Sequence, residues 1–439
     1  MKPGIAWNQL KQALAGDNFR HYGPNTAWML AERSLRIASS FLVGIYVARR
    51  LGPYQYGVLA YVLGLMAIFA PMANLGMDPL IVKALVREPG QRDRILGSAF
   101  GLRAAGVGVM YALLAMTAFR VTTNPETTKM ILIVGLSAMH IPFQVIECHF
   151  QALVRIRLSV LAQMAQCLLV AALTWWGASR GLPLRFFAWV EAVAALVLLT
   201  GWLIGYASAG NRITLWRFDR NRAANLLRAT LPLAVAGLLY MFYTRADHIL
   251  IEKFLGPRAL GWYAVPVRLV ESCFILPVII ANSVFPGIIQ ASLRSVEIYE
   301  KRLRQLYFFV GWVMAGAALT LILLRHPLVN TLYGEAYAPA ANILCIYAWN
   351  AVSAGILAIL VKWLVNEGHF GMCLAGYAAG LLLNLALLLV TIKPMGLMGA
   401  AMASLVALPL GMVLVLSLRP EGRRHLALIG RSMVSLPHG

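Results

Sequence analysis

Three charged residues lie close together inside the first long apolar stretch of the chain. Glu32, Arg33 and Arg36 interrupt a run that is apolar on both sides. Inside a membrane, each such charge costs about 2.5 kcal/mol or more unless it faces a partner or a wet cavity. Glu32 and Arg36 are four residues apart and share a helix face. We therefore expect a polar cavity there, and an ion pair confined to the helix is the simpler alternative.

A second set of charges lies in the other half of the chain, where Asp247 and Glu271 each stand close to an arginine. Arginine presents a planar fork of N–H donors that matches phosphate oxygens. The arginines inside apolar stretches are therefore candidates for binding an anionic headgroup. They are Arg33, Arg36, Arg103, Arg245 and Arg268. Structural ion-pair networks are the alternative reading of the same residues.

Three buried carboxylates are candidates for coupling to a proton or a cation. Glu32, Asp247 and Glu271 qualify because the pKa of a buried carboxylate shifts readily. Each has an arginine within four residues, so simple neutralisation of that arginine is the alternative. The sequence has no Walker motif, no nucleophile elbow, no metal-ligand cluster and no Cys-x-x-Cys pair. We therefore expect no cofactor, no metal, no disulfide and no catalytic residue.

The elements that position these charges are membrane helices. The composition is 60% hydrophobic and 13% charged over 439 residues, whereas soluble domains are closer to half apolar and a quarter charged. The apolar stretches show no period of two, which argues against a transmembrane barrel. A crossing needs about 20 residues, so the chain has room for about twelve. We predict an all-α integral membrane protein.

Apolar runs bounded by charge, Gly or Pro give twelve predicted spans. Their limits are 25–48, 57–77, 95–119, 130–150, 158–178, 186–208, 229–251, 262–285, 305–324, 338–364, 371–392 and 396–418. The predicted domains are an interfacial segment at 1–24, an N-lobe at 25–208, a basic linker at 209–228, a C-lobe at 229–418 and a basic tail at 419–439. Each lobe holds six spans.

The distribution of Lys and Arg predicts the sidedness of the chain. With the N-terminus in the cytoplasm, 23 of the 38 Lys and Arg lie in cytoplasmic segments, 10 lie outside and 5 lie within spans. Cytoplasmic loops of membrane proteins carry an excess of these residues. We therefore expect both termini in the cytoplasm. This asymmetry also accounts for much of the net charge of +21, so nucleic acid is not an expected partner.

A short sequence motif occurs twice at an offset of 204 residues. Leu51-Gly-Pro-Tyr-Gln-Tyr-Gly57 is matched by Leu255-Gly-Pro-Arg-Ala-Leu-Gly261. Each copy follows an odd-numbered span, and six spans separate them, so the two halves have the same orientation. Such repeats, related by a pseudo-twofold along the membrane normal, occur in transporters with a site between the halves. The alternative is that Leu-Gly-Pro is only a turn between helices.

Several of these motifs together resemble a known family. Asn25-x-x-Trp28 is followed by Ala48-Arg-Arg-Leu-Gly-Pro-x-x-Tyr-Gly57, by Asn74-Leu-Gly-Met77 and by Leu332-Tyr-Gly-Glu-Ala-Tyr337. The pattern, over nearly the whole chain, is similar to bacterial oligosaccharide-lipid flippases. These are the polysaccharide-export branch of the multidrug/oligosaccharidyl-lipid/polysaccharide exporter superfamily.

The resemblance implies two six-helix lobes in a V, a central cavity and alternating access. It implies that undecaprenyl-diphosphate-linked oligosaccharide moves from the cytoplasmic to the outer leaflet of the bacterial inner membrane, for polysaccharide biosynthesis. Arg33, Arg36, Arg245 and Arg268 would then bind the diphosphate. Expected partners are the lipid-linked oligosaccharide, the phospholipid bilayer, and a polysaccharide polymerase with its chain-length regulator.

Two other functions fit parts of the sequence. A multidrug/cation antiporter of the same superfamily would share the fold, but its cavity should be net acidic. The polar spans hold five arginines against four carboxylates, which favours an anionic substrate. A membrane glycosyltransferase or polymerase is the other alternative. The first outer loop, at Arg49–Tyr56, contains no acidic residue, and no large outer loop exists for such chemistry. We therefore expect that the protein is not an enzyme.

Overall fold

The computed structural model describes residues 17–122, 124–292 and 295–434. Every long regular element in these residues is an α-helix. The helices are α1 Asp17–Asn74, α2 Asp78–Arg87, α3 Arg92–Val121, α4 Pro125–Leu136, α5 Val145–Ala152, α6 Arg157–Ser179, α7 Leu184–Ser208, α8 Arg220–Cys273, α9 Ile275–Ser292, α10 Val296–Leu323, α11 Arg325–Leu332, α12 Pro339–Tyr347, α13 Asn350–Asn366, α14 Phe370–Ser417 and α15 Pro420–Val434. A 3₁₀ stretch, Ser137–Gln144, joins α4 to α5 around Pro142.

The described helices are long and apolar enough to cross a membrane many times. Nine helical stretches qualify by length and composition. Three of them, Ala27–Arg87, Arg220–Ser292 and Phe370–Ser417, contain 61, 73 and 48 residues, and about 20 residues suffice for one crossing. Each of these three has an internal backbone break, so together the stretches can supply the twelve predicted spans. The prediction of an all-α integral membrane protein is confirmed.

The breaks occur at glycines whose backbone angles other residues rarely adopt. Gly52 has φ 73° and ψ 170°, and Gly256 has φ 83° and ψ 171°. Gly396 breaks α14 with φ 58°. A positive φ of this kind is readily adopted only by glycine. In the two Leu-Gly-Pro motifs a proline follows, and its missing N–H suits the start of the next helical segment.

The chain forms two compact units that do not follow the order of the sequence. One contains the chain up to Gly44 together with Ala70–Ala234, and the other contains Ile45–Phe69 and Val235–Gly439. Helices α1 and α8 therefore each contribute to both units. The predicted lobes, 25–208 and 229–418, divide the chain differently, because they assign Ile45–Phe69 of α1 to the N-lobe, whereas the structure groups this segment with the second unit. The lobe limits remain a prediction.

Each unit has its own packed interior. In the first, Met77 and buried residues of α2, α3, α5, α6 and α7, among them Leu96 and Trp202, form a core. In the second, the two segments of α14 pack closely where Gly380 lies against Leu408. Small residues allow this close approach of membrane helices.

Three helices lie in segments that the sequence analysis treated as connections or as a tail. They are α2, α11 and α15. The last, Pro420–Val434, begins one residue into the predicted basic tail, and its His425 is buried. At the other end, α1 already begins at Asp17, within the predicted interfacial segment 1–24; residues 1–16 lie outside the described part of the chain. Apolar runs identify spans, but they do not reveal short amphipathic helices beside them.

Candidate functional site

The charges of the first apolar stretch are arranged along α1 in the first unit. Arg36 Nε donates to Glu32 Oε1 at 2.6 Å, and Arg36 Nη2 donates to Gln163 of α6 at 3.4 Å. The Glu32 side chain is 9% exposed, whereas that of Arg36 is 57% exposed. Arg33 is exposed and makes no hydrogen bond or ion pair with a described residue. Both guanidinium groups can therefore reach a ligand.

Further polar side chains of α5 and α6 continue this group. Gln163 is also hydrogen-bonded to Glu147, which accepts a second hydrogen bond from Gln151 at 3.3 Å. The connection runs from Arg36 through Gln163 to Glu147, across three helices. This arrangement places the two exposed cations, Arg33 and Arg36, beside two carboxylates, Glu32 and Glu147, which are joined to Arg36 directly or through Gln163.

Arg103 is placed differently from the other arginines. Its side chain is fully buried, and Nη2 donates to the carboxylate of Asp78 and, at 2.8 Å, to Asn74 Oδ1. Cys148 Sγ lies 3.3 Å from the same Asp78 oxygen. The Nε and Nη1 atoms of Arg103 have no partner among the described residues. Arg103 thus fastens α3 to the turn between α1 and α2.

In the second unit, Asp247 lies at the centre of a buried hydrogen-bond network. Its Oδ1 accepts from the backbone N–H of His248 and lies 2.8 Å from His248 Nδ1. Its Oδ2 accepts from the hydroxyls of Tyr263 at 2.7 Å and Ser404 at 3.3 Å. Asp247 is 2% exposed. Four donors around one buried carboxylate compensate for the cost of burying its charge.

Arg245 and Glu271 form an ion pair beside this network, with Nη1 and Oε1 2.9 Å apart. Arg268 is the arginine within four residues of Glu271 in the sequence. In the structure, Glu271 pairs with Arg245 on the other segment of α8, because the break at Gly256 folds that helix back on itself. Arg268 is partly exposed and also makes contacts of its own.

A cavity of about 250 Å³ opens beside these two groups, within the second unit. Its lining includes Tyr240, Asp247, Glu271, Tyr347 and Ser404, and most of the remaining wall is aliphatic. Pockets for drug-sized ligands usually measure about 300–1,000 Å³. A lipid-linked oligosaccharide is larger still, so this cavity suits an ion with its water better than a sugar.

The five predicted arginines thus separate into distinct environments. Arg36, Arg103 and Arg245 each pair with a carboxylate, whereas Arg33 pairs with no described residue.

Within the described residues, no group of three or more His, Cys, Asp or Glu could hold a metal ion. Asp78, Tyr263 and Ser404 could not be predicted as site residues from the sequence, since none of them has a spacing that relates it to its partner.

Comparisons with known proteins agree with this architecture. The family profile described as "Polysaccharide biosynthesis protein" matches residues 23–292. A protein of Haloferax volcanii named "Probable low-salt glycan biosynthesis flippase Agl15" is 22% identical over 405 residues, which cover 88% of this chain and 82% of that protein.

Two solved structures share the fold. One is the lipid II flippase MurJ in an inward closed conformation, with a TM-score of 0.70, 15% identity, and coverage of 93% of this chain and 91% of that chain. The other is a multidrug resistance MATE family transporter in an inward-facing conformation, with a TM-score of 0.61, 14% identity, and coverage of 90% and 96%. Because the family profile matches more than half of the sequence, the chain belongs to the polysaccharide biosynthesis protein family.

Proposed function

We propose that this protein is a flippase that moves a lipid-linked oligosaccharide across the membrane by alternating access. The substrate would be undecaprenyl-diphosphate-linked and would pass from the cytoplasmic to the outer leaflet of the bacterial inner membrane. Both termini would lie in the cytoplasm, in accordance with the excess of Lys and Arg in the segments assigned to that side. The protein would act as a transporter for polysaccharide biosynthesis and would catalyse no covalent chemistry.

The observation that supports this proposal best is the exposure of two arginines on an apolar helix. Arg36 keeps 57% of its side chain exposed although it is paired with Glu32, and Arg33 is exposed with no partner among the described residues. Each such charge in a span is costly unless it faces water or an anion. A diphosphate supplies that anion, and each arginine fork can bind two of its oxygens.

The second unit would contribute further contacts to the headgroup of the substrate and the carboxylates that couple transport to an ion. We propose that Arg245 and Arg268 approach the headgroup as the carrier changes state, and that Asp247 and Glu271 take up and release the coupling ion. The cavity beside these carboxylates has room for an ion and water. Glu32 is the corresponding candidate in the first unit, where its pairing with Arg36 would loosen when the arginine binds phosphate.

Arg103 belongs to the set predicted from the sequence, but its position favours the structural alternative. It has no exposed surface, and it is held by Asp78 and Asn74. A contact with substrate would require that this buried pair opens. We propose that Arg103 supports transport by fixing the turn between α1 and α2.

A multidrug/cation antiporter is the second candidate function. The observation in its favour is the aromatic and aliphatic cavity that contains two carboxylates, Asp247 and Glu271. An organic cation would be attracted by such a lining, although Arg245 neutralises one of the two charges. The exposed arginines of the first unit argue against a cationic substrate.

Complementation of a bacterial strain that lacks its flippase tests the proposal. We expect the wild-type gene, expressed with the matching sugar operon, to restore surface polymer. Arg36→Ala and Arg268→Ala should each abolish polymer while the protein remains in the membrane at normal amounts. Arg180→Ala, which removes an exposed arginine between α6 and α7, should restore polymer fully.

Two outcomes would contradict the proposal. Normal polymer from both Arg36→Ala and Arg268→Ala would make those arginines structural. Efflux of organic cations by the wild type, without restoration of polymer, would favour the antiporter.

A further inference from the structure

A second cavity, distinct from the one beside Asp247, lies in the first unit at one end of its helices. Its volume is about 680 Å³. Its lining comprises residues near the ends of α2, α5, α6 and α7, together with the short connections that join them. These are segments that the Lys and Arg count assigns to the cytoplasmic side. None of the charges discussed above as substrate contacts lies in this lining.

The polar part of the lining is entirely basic or neutral. It contains Arg92, His149, Arg155, Arg157 and Asn211, and it includes no carboxylate. Clefts lined by one sign of charge concentrate the opposite charge near them. The lining therefore favours an anion.

The guanidinium groups of the three arginines make few contacts with other described residues. Arg92 donates from Nη1 to Asn211 Oδ1 at 2.7 Å and from Nε to Asp93 at 3.0 Å, which fixes its orientation. Arg157 lies over the ring of Trp28, 5.5 Å from its centre. The Arg155 side chain makes no contact of either kind with a described residue. Among the described residues, only Arg92 of these three arginines pairs with a carboxylate, so the cavity keeps a net positive charge.

His149 provides a second, independent sign of a ligand. It is 3% exposed and lines the cavity, yet its Nε2 has no hydrogen-bond partner among the described residues. Its ring is fixed by edge-on packing against Tyr206, at 5.5 Å between the ring centres. A buried polar atom without a hydrogen-bond partner carries a free-energy cost. An anionic oxygen within the cavity could remove this cost.

The rest of the wall is apolar, which identifies the source of the anion. Leu85, Phe150, Leu153 and Leu158 belong to the lining, and Leu153 and Leu158 are 51% and 40% exposed. Free phosphate makes no favourable contact with such an apolar surface, whereas an acyl chain packs against it. Basic pockets between helices at the cytoplasmic side bind the headgroups of anionic lipids in other membrane proteins. We propose that this cavity binds the phosphate of an anionic phospholipid, with the arginines on the headgroup and the leucines along the acyl chain.

Native mass spectrometry of the purified full-length protein tests this proposal. The probes are phosphatidylglycerol and phosphatidylcholine, which share a phosphodiester and differ in net charge. We expect phosphatidylglycerol to bind at least several-fold more tightly. Arg155→Gln with Arg157→Gln should weaken its binding about tenfold or more, given about 1 kcal/mol for each arginine near an anionic surface. Lysine at both positions should restore part of the binding.

A matched control removes the same charge elsewhere. Arg94→Gln with Arg220→Gln changes two exposed arginines of the same unit that do not line the cavity, and it should leave lipid binding unchanged. Equal loss in the control, or no preference of the wild type for the anionic lipid, would overturn the proposal. If pyrophosphate alone displaced the lipid at micromolar concentration, the natural ligand of the cavity would be a soluble phosphate compound, and the lipid proposal would be overturned. The readout is binding, so it stands independently of transport.

Discussion

Gly57 of α1 lies directly against the carbonyl oxygen of Pro257 in α8, so that no side chain fits between the two backbones. The same contact recurs in reverse, because Gly261 lies against the carbonyl oxygen of Pro53. Both pairs occupy equivalent places in the two Leu-Gly-Pro motifs, 204 residues apart. A turn signal alone would not produce reciprocal packing of this kind, so the contact favours a true internal repeat.

The first prediction concerns the stability of variants at these two glycines. A methyl group at Gly57 or Gly261 would overlap the facing backbone, which cannot move as a side chain can. We expect Gly57→Ala and Gly261→Ala each to lower the free energy of unfolding by about 1–3 kcal/mol, the usual cost of overpacking. Fluorescence-detected thermal unfolding in detergent measures the change.

Gly316 in α10 provides the control for this prediction, because nothing lies within 4 Å of the position that its added carbon would take. Gly316→Ala should be neutral or slightly stabilising, since alanine favours a helix by up to about 1 kcal/mol over glycine. Equal thermal midpoints for all three variants would show that the backbones separate easily at the motif.

Much of the fold could be predicted because a membrane imposes simple rules on a sequence. A span needs about 20 apolar residues, and Leu-Gly-Pro marks the point where one span gives way to the next. The sequence does not show that a single residue with a positive φ, Gly52, separates the two helical segments of α1 without a longer loop. The membership of residues 45–69 in the second unit depends on long-range packing, which periodicity does not record.

A second prediction concerns the ion pair between Arg103, which is fully buried, and Asp78, which is 33% exposed. Removing one partner of a fully buried ion pair costs about 3–5 kcal/mol, and the cost is smaller here because water reaches the remaining Asp78 carboxylate. We expect Arg103→Met to lower the thermal midpoint. Arg103→Met combined with Asp78→Asn should recover part of that loss, since no uncompensated charge remains.

The control for this pair lies on the same helix. Arg120 is exposed near the end of α3, and Arg120→Met should leave the midpoint unchanged. If the double variant were less stable than Arg103→Met alone, the pairing would not explain the effect of Arg103.

A third prediction separates the proposed coupling role of Asp247 from its structural role. Tyr263→Phe and Ser404→Ala each remove one donor to Asp247 Oδ2 but leave the carboxylate in place. Asp247→Asn removes the charge. All three should lower the thermal midpoint, because a buried hydrogen bond is lost in each. Only Asp247→Asn should abolish the dependence of polymer export on the proton or sodium gradient.

Glu252→Gln provides the control, since Glu252 lies on the same helix and is only partly buried. It should preserve both stability and export. Gradient-dependent export that persists in Asp247→Asn, at normal amounts of protein, would leave Asp247 with a structural role alone.

Less of the candidate site could be predicted than of the fold. Glu32 and Arg36 pair as their spacing of four allows, because both stand on one uninterrupted helix. Glu271 pairs with Arg245 on the other segment of α8, since the break at Gly256 brings distant residues together. The partners of Asp247 on α14 and of Arg103 on α2 come from other helices. Sequence spacing carries information within one helix, and the remaining contacts depend on tertiary structure.

The final prediction concerns pH and the packing of α15. His425 Nε2 lies 2.9 Å from the hydroxyl of Tyr307, and its ring is stacked on Trp363 at 3.7 Å. Burial lowers the pKa of His425 to about 3, against about 6.5 for a histidine exposed to water. Between pH 3 and pH 6.5, His425 is therefore protonated when α15 is detached from Tyr307 and Trp363 (undocked), and neutral when α15 is packed against them (docked). Docking is therefore strongest above pH 6.5 and weakens as the pH falls towards 3.

Hydrogen exchange of the α15 peptides at pH 7.5 and pH 5.5, corrected for intrinsic exchange rates, measures this effect. One pH unit below 6.5 should raise the population of the undocked helix about tenfold. His425→Phe keeps an aromatic ring against Trp363 but cannot be protonated, so its exchange should be independent of pH. His326→Phe alters an exposed histidine of α11 and should behave like the wild type. The same tenfold change in His425→Phe would mean that another group controls the docking of α15.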